Sequence, residues 1–323
     1  MTIKNKIILI FGGTGSIGKK FIKKNIIQNK IINISRNYEK QKELENEINN
    51  KNLINKLADI NDIEKIIKIL NENKPNIILI CSANKYIDHC EKYPSECLQT
   101  NLISIKQILD EILKNKDFYN KFVEAICFIS SNRSCNPINM YGYSKAFAEN
   151  LMIEKSKEIP QIKFTSIRFG NVLGSDGSLI PTLHKLGRDS NIMNYKITNQ
   201  YITRFILTLD EASELIEYSI MAAESGDIII GKIKSIKLIH LLQIFSEIYN
   251  KEIINLTDSH KIEKITEITI NEDEGKKTII DKNGNYIIKL SNSNEKINKE
   301  ITSNINLLSK EELKKLLFES KLV

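Results

Sequence analysis

The sequence predicts an α/β fold, a doubly wound parallel sheet with a smaller C-terminal region, and three observations carry that prediction. Short Ile-rich runs alternate with Lys/Glu-rich stretches of helical length through the first half of the chain. Each run is almost continuously apolar, as a strand is when helices cover both of its faces. A glycine-rich turn follows the first run and leads straight into the first helical stretch, which is the layout of a βαβ unit.

Strands are expected near 6–11, 30–35, 53–57, 76–81, 123–129 and 161–168, with helices at 16–28, 39–50, 61–73 and 95–115 between them. After Arg168 the alternation stops. The stretch 170–181 holds Gly, Ser and Pro, and polar interruptions continue to about 204. A segment of that kind, beyond the C-terminal ends of the strands, is where open α/β sheets bind ligands. Strand and helix patterns return over 206–250, and 262–290 reads as a small β-rich unit with a turn at Asn283-Gly284. Ser309-Lys310-Glu311-Glu312 has capping-box spacing and opens a last helix.

A chain of 323 residues can bury a full core, and 41% hydrophobic with 27% charged residues excludes a disordered composition. Ile, Lys and Asn dominate, the imprint of an AT-rich genome. The net charge of +7 is spread without a basic block, which argues against nucleic acid as a partner, while a small polyphosphate needs only a local patch. Cys81, Cys90, Cys97, Cys127 and Cys135 form no C-x-x-C pair and no metal-ligand spacing with the four histidines. A reduced, cytoplasmic compartment and no metal are expected. Lys6 to Phe11 is too short for a signal peptide or a span, and no later apolar run reaches the roughly 18 residues a membrane helix needs, so no membrane is expected either.

Gly12, Gly15 and Gly18 stand at three-residue intervals in Gly12-Gly-Thr14-Gly-Ser16-Ile17-Gly18. Glycine lets backbone approach a pyrophosphate, and the helix N-terminus behind it offers unpaired N–H groups, so these residues are assigned to a dinucleotide. At the end of the second strand an acidic residue would hold the ribose hydroxyls of NAD. The chain has Ser35-Arg36 there, with Lys40 close behind, and a hydroxyl beside cations suits the 2′-phosphate of NADP. Asp59-Ile60 is expected near the adenine.

Tyr141 and Lys145, four residues apart at the start of a helix, share one face. A phenol with an ordinary pKa of about 10 carries protons poorly near neutrality unless a neighbouring ammonium favours the phenolate, and Lys145 is expected to supply that charge. Ser131, at a strand end, is placed to hydrogen-bond a substrate oxygen beside the tyrosine. Tyr143, whose matching lysine position is Phe147, is assigned to packing.

With these residues the chain resembles the extended short-chain dehydrogenase/reductases, and within them the C5-inverting UDP-N-acetylglucosamine 4,6-dehydratases. The resemblance spans about residues 4 to 290. It rests further on Asn136-Pro-Ile-Asn139, Arg168-Phe-Gly-Asn-Val-Leu-Gly-Ser175 with Gly177-Ser178, Thr203-Arg-Phe205, Leu209-Asp-Glu211, Lys85 and Cys97-Leu-Gln-Thr-Asn101. It implies a Rossmann domain over 1–168, its sheet completed by parts of 200–250, and a mainly nucleotide-sugar-binding region over 169–323. It adds Ser82, Ala83, Lys85 and Asn101 to the cofactor contacts, places Lys85, Asn171, Ser178 and Arg204 on a UDP-sugar, and implies a homo-oligomer. The implied chemistry oxidises C4, eliminates water across C5 and C6, and returns the hydride to C6 with inversion at C5.

Two departures stand out. Where the family has Thr-Asp-Lys, whose Asp and Lys handle the elimination protons, this chain has Ser131-Asn132-Arg133. Asparagine carries no proton and arginine is a very poor base, so Asn132 is left to orient the C6 oxygen and Arg133 to stabilise enolate charge. Lys85, Cys135 or a water on Asn132 are the candidates for the missing proton carrier. The family's Arg-Pro-Gly-Glu-Lys contact to the nucleotide reads His260-Lys-Ile-Glu-Lys264. An NADP-dependent 4-ketoreductase or reductase/epimerase on a UDP-6-deoxy-4-keto sugar is the alternative, since it needs no elimination acid and base. A non-catalytic cofactor-binding regulator is disfavoured because Tyr141 and Lys145 are both retained.

Overall fold

The computed structural model describes residues 2–255, 264–290 and 296–323. In chain order the strands of the first half are β1 (Ile7–Phe11), β2 (Lys30–Ser35), β3 (Leu53–Leu57), β4 (Ile77–Ile80), β5 (Ala125–Ser131) and β6 (Lys163–Phe169). All six expected strands are present. Beyond them lie β7 (Asn171–Val172), β8 (Asn194–Ile197), β9 (Thr203–Leu207), β10 (Ile228–Ile230), β11 (Ser235–Lys237) and β12 (Glu252–Asn255). The described strands end with β13 (Ile268–Ile270), β14 (Thr278–Ile280), β15 (Tyr286–Ile288) and β16 (Ile301–Thr302).

The main sheet runs β14-β15-β10-β6-β5-β4-β1-β2-β3. Its members from β10 to β3 pair in parallel, while β15 and β14 add antiparallel at the far edge. Strand order reverses between β1 and β4, so the loops after these strands open a crevice at their C-terminal ends. Two large apolar clusters fill the two faces, one around Leu9, Phe128 and Phe164, the other around Ile10, Phe21 and Ile216. A third, around Tyr195, Phe245 and Leu317, packs the C-terminal helices Leu238–Tyr249 and Lys310–Glu319.

Several helix starts follow side-chain caps, though the helix Ser16–Asn25 behind the glycine turn has none. Asn37, Asp62 and Asn139 accept from the backbone of the helices Tyr38–Ile48, Ile63–Asn73 and Met140–Glu158, and Thr208 and Ser309 close capping boxes. The Ser309 box is the one read from sequence.

Two expectations need correction. The segment 95–115 is not one helix: Pro94–Leu98 passes through a π-helical turn, Gln99–Ile103, before Ser104–Lys114. The stretch 262–290 is β-rich as read, but its strands do not form one unit: β13 pairs with β16. Its hairpin, β14 and β15 around the Asn283-Gly284 turn, pairs with β10 and so extends the main sheet, because the apolar Ile287 and Ile288 find cover there. Residues 262 and 263 lie outside the described residues.

Candidate active site

A cleft of about 450 Å³ runs across the C-terminal ends of β1, β4, β5 and β6. Its floor is the glycine turn. Gly12 has φ +84°, and a Cβ there would stand 2.9 Å from the Ser82 nitrogen, so only glycine lets this turn pass under the loop after β4. A Cβ on Gly18 would meet Gly12 O at 2.7 Å, which locks the helix Ser16–Asn25 against the turn. Gly15 is different: a Cβ there would touch nothing closer than Gly12 O at 3.4 Å. Its bare side therefore faces the cleft, where a ligand comes close. Thr14, Ser16, Ile17, Ile34, Ile60 and Ala83 line the same space. Ser82 Oγ and Ser130 Oγ border the cleft too, and both are buried without a hydrogen-bond partner. Orphaned buried hydroxyls beside a glycine turn at a helix N-terminus fit a dinucleotide.

Ser35, Arg36 and Lys40 line the cleft where β2 ends, the end at which the adenosine is expected. Ser35 Oγ accepts from Gln41 at 2.9 Å. Arg36 is exposed, with its guanidinium 3.5 Å from Asp59, so Asp59 engages the arginine while Ile60 lines the cleft. Asn101 does not line the cleft. It is fully buried, accepts from the Asn84 amide at 2.7 Å and donates to Ser144 Oγ at 3.1 Å, which ties the loop after β4 to the helix that carries Tyr141.

The loop 174–178 closes over the glycine turn through Asp176. Its amide donates to Ser16 Oγ at 2.8 Å, its carboxylate lies 3.9 Å from Lys40, and its carbonyl accepts from Lys85. Burial lowers the Lys85 pKa. Asp176 is a residue the sequence reading missed.

Ser131, Tyr141 and Lys145 all line the cleft. Asn139 caps the helix by accepting from Gly142 at 2.9 Å, which fixes the first turn and with it Tyr141. Lys145 is buried, donates to the Ile129 carbonyl at 2.7 Å, and lies 6.0 Å from the centre of the Tyr141 ring. Burial pulls its pKa down to about 8. The expectation that the ammonium keeps the phenol acidic is not met here. Burial pushes Tyr141 up to about 12, against the hydrogen bond from Ser131 and the charge of Arg133, which pull it down. Tyr143, expected in packing, is instead 44% exposed on the outer side of the helix, since a helix carries position 143 well away from position 141.

Asn132 and Arg133 form a one-turn 3₁₀ segment capped by Ser131 Oγ, which accepts from the Arg133 amide at 3.3 Å. A small second cleft opens behind them, lined also by Asn139, Arg204, Lys264 and Glu267. Arg204 is buried, and its guanidinium donates to the carbonyls of Thr203 at 2.8 Å and Lys264 at 2.9 Å, with Glu267 at 3.8 Å. Glu267 is thus the internal carboxylate that a structural arginine requires. Asn171 donates to the Phe205 carbonyl at 2.9 Å, and Ser178 Oγ is buried without a partner at the start of the helix Leu179–Arg188. Of His260-Lys-Ile-Glu-Lys264, residues 260–263 lie outside the described residues, and Lys264 donates to the Asn136 carbonyl at 2.7 Å.

Cys135 is buried and donates to Glu274 at 3.4 Å; burial drives its thiol pKa well up, so it is not a thiolate base. Beneath it Arg168 sits between two carboxylates, 2.7 Å from Glu149 and 2.6 Å from Glu274. Ser134 Oγ donates to Glu149 at 2.7 Å, so this buried cluster carries the whole 132–135 turn.

The model of the polysaccharide biosynthesis protein family matches residues 8–289. The chain belongs to that family. Similar to it is the inverting UDP-N-acetylglucosamine 4,6-dehydratase of Campylobacter jejuni, 30% identical over 83% of this chain and 78% of the relative. So is the UDP-glucose 4-epimerase of Rickettsia prowazekii, 30% identical over 77% of this chain and 72% of that one. Among solved structures, Pen from Bacillus thuringiensis covers the whole of both chains with a TM-score of 0.88 and 29% identity. The family member described here is an enzyme of the extended short-chain dehydrogenase/reductase class, of the nucleotide-sugar dehydratase and epimerase kind. Among the described residues no helix is long and apolar enough to cross a membrane, and no group of side chains is arranged to hold a metal.

Proposed function

We propose that the protein is a cytoplasmic UDP-N-acetylglucosamine 4,6-dehydratase with C5 inversion, using tightly bound NADP and acting as a homo-oligomer. The observation that carries this reading is the single cleft that joins the glycine turn to Ser131, Tyr141 and Lys145, in a chain 30% identical to an inverting dehydratase.

NADP, when bound, takes a hydride from the sugar and later returns it. The chain's own residues handle protons and charge. Ser131 holds the C4 oxygen beside Tyr141, which takes the hydroxyl proton. A phenol near 12 is almost wholly protonated at neutral pH and has no phenolate to accept a proton, so the positive charge of Lys145 has to act more directly once substrate and cofactor fill the cleft and displace water. Arg133 contributes positive charge where the enolate develops, and Asn132 orients the C6 oxygen. Ser178 Oγ and the helix N-terminus behind it suit a diphosphate, with Asn171 and Lys85 beside the sugar nucleotide. The buried position of Arg204 fits a second role for it, as the post that holds this wall. Arg36 and Lys40 at the adenosine end favour the 2′-phosphate.

Incubation with UDP-N-acetylglucosamine, followed by mass spectrometry and NMR, tests the reading. The expected product is lighter by one water, carries a free or hydrated C4 ketone, takes solvent deuterium at C5 and shows the inverted configuration there. No net NADPH is consumed. The 4-ketoreductase reading is favoured by one observation, the absence of a proton carrier at positions 132 and 133, and it predicts stoichiometric NADPH oxidation instead.

A further inference from the structure

Water cannot leave C6 unless some group takes the C5 proton and some group protonates the leaving oxygen. Neither Asn132 nor Arg133 can do this. Of the groups that stood as candidates, Cys135 is held as a thiol pointing at Glu274, and Lys85 is engaged with the Asp176 carbonyl at the cofactor end of the cleft.

The small cleft behind Asn132 and Arg133 supplies another group. Glu267 is 5% exposed and arrives from the segment before β13, 135 and 134 residues away in sequence from Asn132 and Arg133, which line the same cleft. One carboxylate oxygen accepts from the Phe205 amide at 3.2 Å and from Asn171 at 3.4 Å; the other lies 3.8 Å from Arg204. Asn132 is buried in the same cleft and its side chain faces the Glu267 carboxylate, favouring the ionised form. The same cleft therefore holds a positioned carboxylate, an arginine charge and the Asn132 amide, and the charge of Arg133 acts on both Glu267 and Tyr141.

We propose that Glu267 is the proton carrier of the elimination step, a catalytic residue replacing the acid and base that positions 132 and 133 lack. The assignment rests on the dehydratase reading above. Once C4 is a ketone, the Glu267 carboxylate takes the C5 proton and the C5–H electron pair moves into an enolate, whose charge Arg133 faces. The enolate collapses, the C4 carbonyl re-forms, a C5–C6 double bond appears and the C6–O bond breaks. The departing oxygen takes the proton back from Glu267 and leaves as water, so one carboxyl group serves as base and then as acid on one face of the sugar. The hydride removed from C4 adds to C6, a solvent proton enters C5 from the other face, and Tyr141 releases the proton it took from the C4 hydroxyl. Protons, hydride and water balance over the cycle. Burial raises the Glu267 pKa, against the pull of Arg204 and Arg133, which suits a group that must both accept and return a proton.

The test uses the full chain with its cofactor bound and the variant Glu267→Gln, which keeps the size of the side chain and its acceptor for the Phe205 amide. The variant is expected to lose water release on the order of 10²-fold or more, and to lose solvent-deuterium entry at C5. It should still oxidise C4 in a single turnover, seen as reduced-nicotinamide absorbance when substrate is mixed in. A merely structural glutamate would not separate the two half-reactions. Dehydration by E267Q within about threefold of wild type overturns the proposal. If the wild type itself releases no water, the dehydratase reading fails instead. Should E267Q lose its cooperative melting transition, Glu267→Asp decides: a slowed elimination with a displaced acidic limb of the pH profile supports the role, and an unchanged rate and profile overturn it.

Discussion

The two walls around the cleft are made of different material. The first wall consists of glycine turn, apolar strand ends and short loops, drawn from the ends of β1, β2, β3 and β4 and fixed by backbone geometry. The second wall, which backs the cleft rather than lining it, is polar and buried: Arg168 between Glu149 and Glu274, with the 132–135 turn resting on that pair, and Arg204 beside Glu267. Groups in the first wall are positioned by the hydrophobic packing behind them, groups in the second by one another. A wall held by mutual charge pairing fails when any member is removed, since the remaining charge stays buried without compensation.

Four measurements sharpen that contrast, from the largest effect to the smallest. Tyr141→Phe removes the proton acceptor and leaves the apolar framework alone. Turnover of UDP-N-acetylglucosamine should fall by about 10² to 10⁴-fold with the melting temperature nearly unchanged. A variant that keeps more than a tenth of the activity would take the tyrosine out of the chemistry. Arg168→Leu strikes the charged wall instead. It strands Glu149 and Glu274 and should cost about 3–5 kcal/mol in chemical denaturation, far more than a surface ion pair.

Arg36→Ala acts at the exposed rim of the first wall. NADPH affinity should drop about tenfold, close to the 1.4 kcal/mol that such a factor represents, while NADH affinity and stability hold. Equal losses for both cofactors would remove the 2′-phosphate from the argument. Titration calorimetry reads both.

The last measurement concerns Lys145, whose buried ammonium lines the cleft. Its pKa is about 8 when folded and near 10.5 when unfolded. Below pH 8 both states are protonated and the burial cost is paid in full. Between about pH 8 and 10.5 the unfolded chain binds more protons, so stability contributed at this site rises with pH. Lys145→Met should lack that rise, and melting curves at pH 7 and 9.5 would show the difference between the two proteins closing or opening accordingly.

The same division governs how much could be read without coordinates. Six strands, the glycine turn, the cap at Ser309 and the Ser131, Tyr141, Lys145 set were legible because each depends on spacing along the chain. The hairpin β14–β15 was read as a hairpin but not as the edge of the main sheet, since its partner β10 is 48 or more residues away. Tyr143 was misplaced for lack of its helix's orientation. Asp59 was assigned to a ligand without its arginine partner in view. Glu267 carried one faint signal, a lone acid in the apolar alternation Ile265-Thr-Glu-Ile-Thr-Ile270, and an acid at such a position is either exposed or buried for a purpose.

By itself the sequence determined the parallel doubly wound sheet, the dinucleotide turn and the tyrosine-lysine helix face, because periodicity, glycine and capping act over a few residues. Only the tertiary structure decided the partners of Arg36, Arg168 and Arg204, the burial that moves Tyr141 and Lys145 away from their ordinary pKa values, and the meeting of Asn132 with Glu267. Those depend on which distant charges come to share a low-dielectric space, and a linear spacing carries no record of that.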